Sequence, residues 1–394
     1  MILSILSTVA GQTWRRLVDG PVVESWSFTH EVAVRVARYL NVEKFKTLEE
    51  YIQAFNRMPV AQVDKRFVCE NFKIEPEGIE CIWVFPKNPN PDFREDAVLL
   101  YFHGGGFVVG GAKFIAAPVS VLSEKLGLKV CLVSYRYGEE HPHPRPVEDA
   151  KCVYQRLISD GYSQEKILVA GDSAGGNLVF SLCLLLRNEN HPLPAGGISY
   201  SPYLLRDSSF LSHVRSRAAE ESPFERETTA SEMERESESK GSDSGPTTDP
   251  TASPVGDAAS DSPHIQRRVQ KCWRDVDFFG ECAYIEEYLQ KPCGDIDASD
   301  PLISPFHHKE WAWLPPQFLL YGGLECFAPI IDRFANRLEE QGVDVCRCFW
   351  QDGVHAFNML PGLPEDVQRN LDEQLKAFVD RILHGAAGNP VDDE

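Results

Sequence analysis

Residues Lys166 to Leu186 read KILVAGDSAGGNLVFSLCLLL and place a serine between two glycines. A buried strand, Ile167 to Ala170, runs into Gly171-Asp172-Ser173-Ala174-Gly175, and a helix follows at once. This is the G-x-S-x-G arrangement of a nucleophile elbow. The serine has to sit on a tight turn at the strand's C-terminal end, where side chains two positions away would collide, so glycines stand there. The helix N-terminus behind it brings partly positive N–H groups to the serine oxygen. Gly-rich turns after strands are also common as plain structure; strand before and helix after is what points to catalysis by Ser173.

A second stretch supplies the complementary chemistry. In AVLLYFHGGGFVVGG, Ala97 to Gly111, a buried strand leads into three successive glycines, Gly104 to Gly106. Bare backbone there can bring N–H groups up to a reacting carbonyl, as acyl transfer requires, because its tetrahedral intermediate carries an oxyanion. Gly105, Gly106 and Ala174 are the expected donors. Neither G-x-G-x-x-G nor G-x-x-x-x-G-K-[ST] can be laid on these glycines, which argues against a phosphate loop. His103 reads as a hydrogen-bonding residue that fixes the loop rather than as a base.

These motifs need elements to hold them. From Ser4 to about Met58, apolar residues recur at helical spacing, as in Phe28, Val32, Val36 and Tyr39, which predicts two or three helices. From about Val68 the texture changes to short apolar runs: IECIWVF, AVLLYF, LKVCLVSY, KILVAG, GGISYS, PQFLLYGG and VCRCFW. Such runs suit strands buried on both faces of a parallel sheet. Amphipathic helices alternate with them, including Pro329 to Gln341 with Gly342 as its stop signal. The expected fold is a doubly wound, mostly parallel α/β sheet with right-handed crossovers.

The rhythm fails between roughly Val214 and His264, a stretch rich in Ser, Glu, Asp, Thr, Pro and Gly. It reads as a disordered acidic insertion. With Ser173 before it and the remaining candidate residues after it, residues 1–394 read as one domain rather than two.

The formal charge of −20 argues against sequence-independent nucleic-acid binding and against anionic membrane surfaces. A small neutral or apolar molecule is the expected partner. The 11 cysteines are scattered, many in apolar runs, and none forms C-x-x-C, so a zinc or redox role is not indicated. The first apolar stretch, MILSILSTVAGQTWRRL, is far short of the roughly 20 residues of a membrane span and has no positive n-region. A cytoplasmic location is expected, with peripheral membrane contact through this amphipathic segment left open. The oligomeric state is not legible.

With its two motifs the chain resembles the hormone-sensitive-lipase-like family of α/β-hydrolases, the HGGG-containing carboxylesterases that include arylacetamide deacetylase and fungal steryl acetyl hydrolases. VSYRYGEEHPHPRPVEDA and DPLISPF, Asp300 to Phe306, match further family segments in order. Tyr137-Gly138-Glu139 stands where the family usually has Leu-Ala-Pro. The resemblance covers about Tyr101 to the C-terminus and implies an α/β-hydrolase fold with a helical cap, residues 1–65 forming its N-terminal part. It also implies an order of serine, acid, histidine. In VDVCRCFWQDGVHAFNML, His355 falls at a strand-to-loop position in the context Asp-Gly-x-His-x-Phe, and the resemblance implies that it is the family's catalytic histidine. In YGGLECFAP, Glu325 stands where the family usually has aspartate. A glutamate can hold the imidazole with one more methylene, and Ser-His-Glu triads occur on this fold. Asp332 and Asp352 are the alternatives if the loop is displaced.

The expected activity is serine carboxylic-ester hydrolysis through an acyl-enzyme, with short acyl groups, an apolar alcohol and no cofactor or metal. Acyl transfer, amide deacetylation and lipase action on the same residues are alternatives. So is a non-catalytic receptor, although the related plant receptors lack the histidine found here. Phe107, Tyr203, Trp311 and Trp313 suit an apolar pocket or plain core equally.

Overall fold

The computed structural model describes residues 2–207, 209, 210, 212 and 291–384. The expected acidic insertion at 214–264 lies outside the described residues.

Eight strands form one sheet: β1 (Phe67–Ile74), β2 (Ile79–Pro86), β3 (Arg94–Phe102), β4 (Leu128–Ser134), β5 (Ile167–Asp172), β6 (Gly196–Tyr200), β7 (Gln317–Gly322) and β8 (Val345–Trp350). Their spatial order is β1-β2-β4-β3-β5-β6-β7-β8. β1 and β2 pair antiparallel, β2 meets β4 antiparallel, and every pair from β4 to β8 is parallel. The apolar runs were legible because β3, β5, β6 and β7 are buried almost throughout. β1 escaped the sequence reading, since an edge strand with exposed Cys69, Glu70 and Asn71 has no continuous apolar run. β6 and β7, on either side of 213–290, lie side by side with Ile198 opposite Phe318.

Period-two alternation divides the core between the sheet's faces. Val98, Leu100 and Phe102 pack with Val147, Val153 and Leu157 of α5 (Arg145–Ser159). Leu99 and Tyr101 join Val119 of α4 (Ala112–Leu126) and Leu375 and Phe378 of the C-terminal helix (Glu365–His384). α6 (Ala174–Asn188) is buried along almost its whole length behind β5. α7 (Ala328–Glu340) buries Ile331, Phe334 and Leu338, the stripe expected from the sequence.

Three helices precede the sheet: α1 (Ile2–Asp19), α2 (Phe28–Arg38) and α3 (Leu48–Asn56). α1 packs by its polar face, where Gln12 and Arg16 donate to the buried Glu31 of α2. Its residues Leu6, Trp14, Leu17 and Val18 face outward. None of the described helices is long and apolar enough to cross a membrane. The segment leading into α2 clamps the loop after β8. Trp26 Nε1 donates to the Asp352 carbonyl at 2.8 Å, Ser25 Oγ donates to its carboxylate at 2.6 Å, and the His30 ring packs on Trp350 at 5.7 Å.

Burial pushes the His30 imidazole down to about 4. A histidine lowered in the folded state binds fewer protons than in the unfolded chain, so its contribution to stability is present at pH 7 and shrinks below about pH 6.5. Between pH 7 and pH 5, wild type therefore loses on the order of 2 kcal/mol through this residue. His30→Gln should show a smaller loss over the same interval by about that amount, measured by urea unfolding at the two pH values; equal losses would refute the assignment.

Candidate active site

The elbow is built from close backbone approaches. A Cβ added at Gly175 would lie 1.9 Å from the Phe102 carbonyl oxygen, and one at Gly171 would lie 2.4 Å from the Gly175 carbonyl. Only glycine lets the start of α6 press onto the end of β3 this closely. Between them Ser173 is held at φ 53°, ψ −112°, its N–H donating to the Tyr200 carbonyl at 2.8 Å. Its hydroxyl oxygen is buried and makes no hydrogen bond among the described residues.

The glycine loop is anchored to this turn by Asp172, whose carboxylate accepts from the Tyr101 hydroxyl at 3.0 Å and from the Gly104 N–H. Burial pushes the Asp172 carboxyl up to about 6 against those bonds. Val108 and Val109 N–H groups both donate to the Gly105 carbonyl at 3.1 Å, curling the loop. Gly105 (φ 111°) and Gly106 (φ 63°) occupy the left-handed region. The N–H groups of Gly105, Gly106 and Ala174 find no acceptor among the described residues. His103 stacks on Tyr135 with 4.2 Å between centroids, and its Nδ1 donates to the Gly104 carbonyl at 2.6 Å. Burial pushes this imidazole down to about 4, so it is neutral and fixes the loop.

Glu325 and His355 come together. His355 Nδ1 donates to Glu325 Oε2 at 2.8 Å, with the glutamate 0% exposed and the histidine 3%. Oε1 of Glu325 accepts from the Gly322 N–H at 2.9 Å and from Ser201 Oγ at 3.0 Å. Burial pushes the Glu325 carboxyl up, while the bonds from His355, Gly322 and Ser201 oppose that rise. The two alternatives are engaged elsewhere: Asp352 with Ser25, and Asp332 with the Tyr321 hydroxyl.

Ser201 and Asp172 had no signal in the sequence. Ser201 follows Tyr200, the residue that receives the Ser173 N–H, and its Oγ accepts from the Ala356 N–H at 2.9 Å. It thus links the elbow, Glu325 and the residue after His355. Ser201 shares one trace with the elbow, backbone strain that is invisible in a sequence: Phe107, Ser173, Ser201 and Ala356 are four of the five non-glycine residues with positive φ among those described. Such conformations cost of order 1–3 kcal/mol each and gather at functional sites.

An aromatic wall adjoins the histidine. Phe327 packs on His355 at 4.8 Å, Tyr203 on Phe327 at 5.1 Å, and Phe210 on Phe327 at 5.2 Å. Trp311 belongs to the same buried core cluster as these three rings, edge-on to Phe180 and Phe334. Among the described residues, no group of three or more His, Cys, Asp or Glu is arranged to hold a metal ion.

A family profile described as the α/β hydrolase fold matches residues 99–276, a span that contains Ser173 and the glycine loop. An acetyl-hydrolase of Streptomyces hygroscopicus is 33% identical over 138 residues, 35% of this chain and 44% of that protein. An esterase of Acinetobacter venetianus is 34% identical over 138 residues, 31% of this chain and 46% of that protein. The chain has the α/β-hydrolase fold over residues 99–276 and is similar to acetyl-hydrolases and esterases and, at 29% identity over 143 residues, to the hormone-sensitive lipase of Ictidomys tridecemlineatus. It spans less than half the length of that acetyl-hydrolase and that esterase. The fold extends further than the sequence likeness: an esterase from the bacterial hormone-sensitive lipase family superposes with a TM-score of 0.65 at 22% identity, covering 91% of this chain and 99% of that one.

Ser201 is a positioning residue for the His355–Glu325 pair. Ser201→Ala should lower kcat on 4-nitrophenyl acetate roughly tenfold, about the worth of one hydrogen bond to a charged group, with little change in KM. Removing a donor raises the Glu325 carboxyl further, so the acid limb of the kcat/KM profile should move to higher pH. A kcat loss with an unmoved pH profile would leave Ser201 a merely structural role.

Proposed function

We propose that the chain is a serine carboxylic-ester hydrolase in which Ser173 is the nucleophile, His355 the general base and acid, and Glu325 the carboxylate that orients it. The observation that carries this reading is the buried 2.8 Å bond from His355 Nδ1 to Glu325, at the same end of the sheet as a buried serine hydroxyl that makes no hydrogen bond among the described residues and sits on a strained elbow. With Nδ1 committed to the carboxylate, Nε2 is the nitrogen available to take a proton.

Attack of the Ser173 hydroxyl on an ester carbonyl forms the Oγ–C bond as His355 Nε2 takes the hydroxyl proton. The oxyanion of the tetrahedral intermediate is received by the N–H groups of Gly105, Gly106 and Ala174. Collapse breaks the bond to the alcohol oxygen, which leaves with the proton from His355. Water then repeats the sequence on the acyl-enzyme, releasing the acid and restoring Ser173. The acetyl-hydrolase relative supports a short acyl group, and the wall formed by Phe327, Tyr203 and Phe210 supports an apolar alcohol.

A fluorophosphonate should label the chain at Ser173 and at no other residue, read by peptide mass spectrometry. Ser173→Ala should abolish labelling and lower kcat by roughly 10⁴-fold or more, and Glu325→Gln, which leaves the imidazole in the wrong tautomer, should cost about 10⁴-fold. A folded wild type that stays unlabelled and turns over no acetate ester would sink the reading.

A further inference from the structure

Arg206 is a buried charge that the proposed reaction does not use. It follows Tyr203, whose N–H donates to the Ser173 carbonyl at 3.0 Å. At 1% exposure it is slightly more enclosed than Ser173 at 4% and His355 at 3%. Its Cζ lies 4.4 Å from the ring centroid of Phe107, the residue directly after the glycine loop, and 5.9 Å from that of Tyr203.

The guanidinium is held on one face and at one nitrogen. Nη1 donates to His143 Nε2 at 2.6 Å, which leaves Nδ1 as the protonated nitrogen of a neutral imidazole. Burial first, and the guanidinium second, push the His143 pKa well below the ordinary histidine range. The backbone N–H of His143 donates to the Pro292 carbonyl at 3.0 Å, and its ring packs edge-on to Phe107 with 4.9 Å between centroids, while its Nδ1 is buried without a partner among the described residues. Nε and Nη2 are buried without a partner among the described residues. Asp207, next in the chain, is engaged by His307 at 2.5 Å.

A buried cation without an anion costs several kcal/mol. The Nε and Nη2 hydrogens lie along one edge of the guanidinium, the fork that pairs bidentately with a planar carboxylate. Held by Phe107 and His143, that edge is preorganised beside the glycine loop. We propose that Arg206 binds a carboxylate carried by the substrate, so that the esters this chain prefers combine an apolar body with one anionic group. With a net charge of −20 disfavouring anions on approach, such a preference requires a local cation of this kind. The inference rests on the ester-hydrolase reading and narrows its substrate class.

The carboxylate can sit on the acyl or the alcohol half, and two substrate pairs distinguish them: mono-4-nitrophenyl glutarate against 4-nitrophenyl valerate, and 4-acetoxybenzoate against phenyl acetate, each with the uncatalysed rate subtracted. In wild type the ratio of kcat/KM, anionic to neutral, should reach or exceed unity for one pair. Arg206→Leu should lower that ratio roughly 10- to 100-fold, the worth of hydrogen bonds to a charged group, with Arg206→Lys between. Calorimetry supplies a readout that needs no turnover: wild type should bind glutarate and not glutaramide, and Arg206→Leu should bind neither. Neutral preference in both wild-type pairs, absence of glutarate binding, or ratios unchanged in Arg206→Leu would each overturn the proposal. Two of these readouts use wild type alone, so the proposal can still be overturned if the variant misfolds. A chain that hydrolyses neutral esters but rejects both anions loses this inference alone; one that binds glutarate through Arg206 yet hydrolyses nothing loses the hydrolase reading instead.

Discussion

A carboxylate with no access to water organises the candidate site. Glu325 is wholly buried, and an unpaired charge there would cost several kcal/mol. Three donors answer it, from His355, Ser201 and the Gly322 backbone, each on a different segment of chain. Satisfying one buried charge thus draws together the ends of β6 and β7 and the loop after β8. The tightness of that junction shows at Gly322, where an added Cβ would lie 2.0 Å from the Gly353 carbonyl oxygen. Breaking such a cluster on one side leaves a buried charge uncompensated, which is why its members act together rather than as separate contacts.

The other half of the site rests on steric exclusion. Phe102, Gly171 and Gly175 meet backbone to backbone, so the turn between β5 and α6 has no room to relax and Ser173 keeps its positive φ. Asp172, the residue before Ser173, ties the glycine loop to the same turn. The strain of these segments is offset by a core that is buried on both faces of the sheet around them. The clamp by the segment before α2 extends this logic outward: Ser25 and Trp26 hold Asp352, and with it the loop that carries His355.

Legibility followed the range of the interactions. Strands β3 to β7 were readable because continuous apolar runs report burial directly, β2 and the part-exposed β8 because apolar residues still dominate them, and α7 because its stripe repeats at 3.6 residues. β1 was missed, since half-exposed edge strands mix polar and apolar residues without a clear period. Ser173 and the glycine loop were readable because local sterics demand glycine at fixed offsets. Ser201, Asp172 and Arg206 were not, because each acts through a partner distant in sequence: Ser201 and Glu325 are 124 positions apart, and Arg206 and His143 are 63 apart. Trp311 looked as suited to a pocket as to a core, and its neighbours Phe180 and Phe334 put it in the core.

By itself the sequence determined the alternation of buried strands and amphipathic helices, the elbow with its flanking glycines, and the bare-backbone loop, all through constraints that act within a few residues. It left three carboxylates, Glu325, Asp332 and Asp352, within reach of the same histidine. Only the tertiary structure decided among them, because the choice depends on where the loops after β7 and β8 converge: Glu325 turns inward to the buried imidazole, while Asp332 meets Tyr321 and Asp352 meets Ser25 of the N-terminal segment. Which side chains share a buried, water-free space is a property of chain crossings, and local spacing carries no record of them.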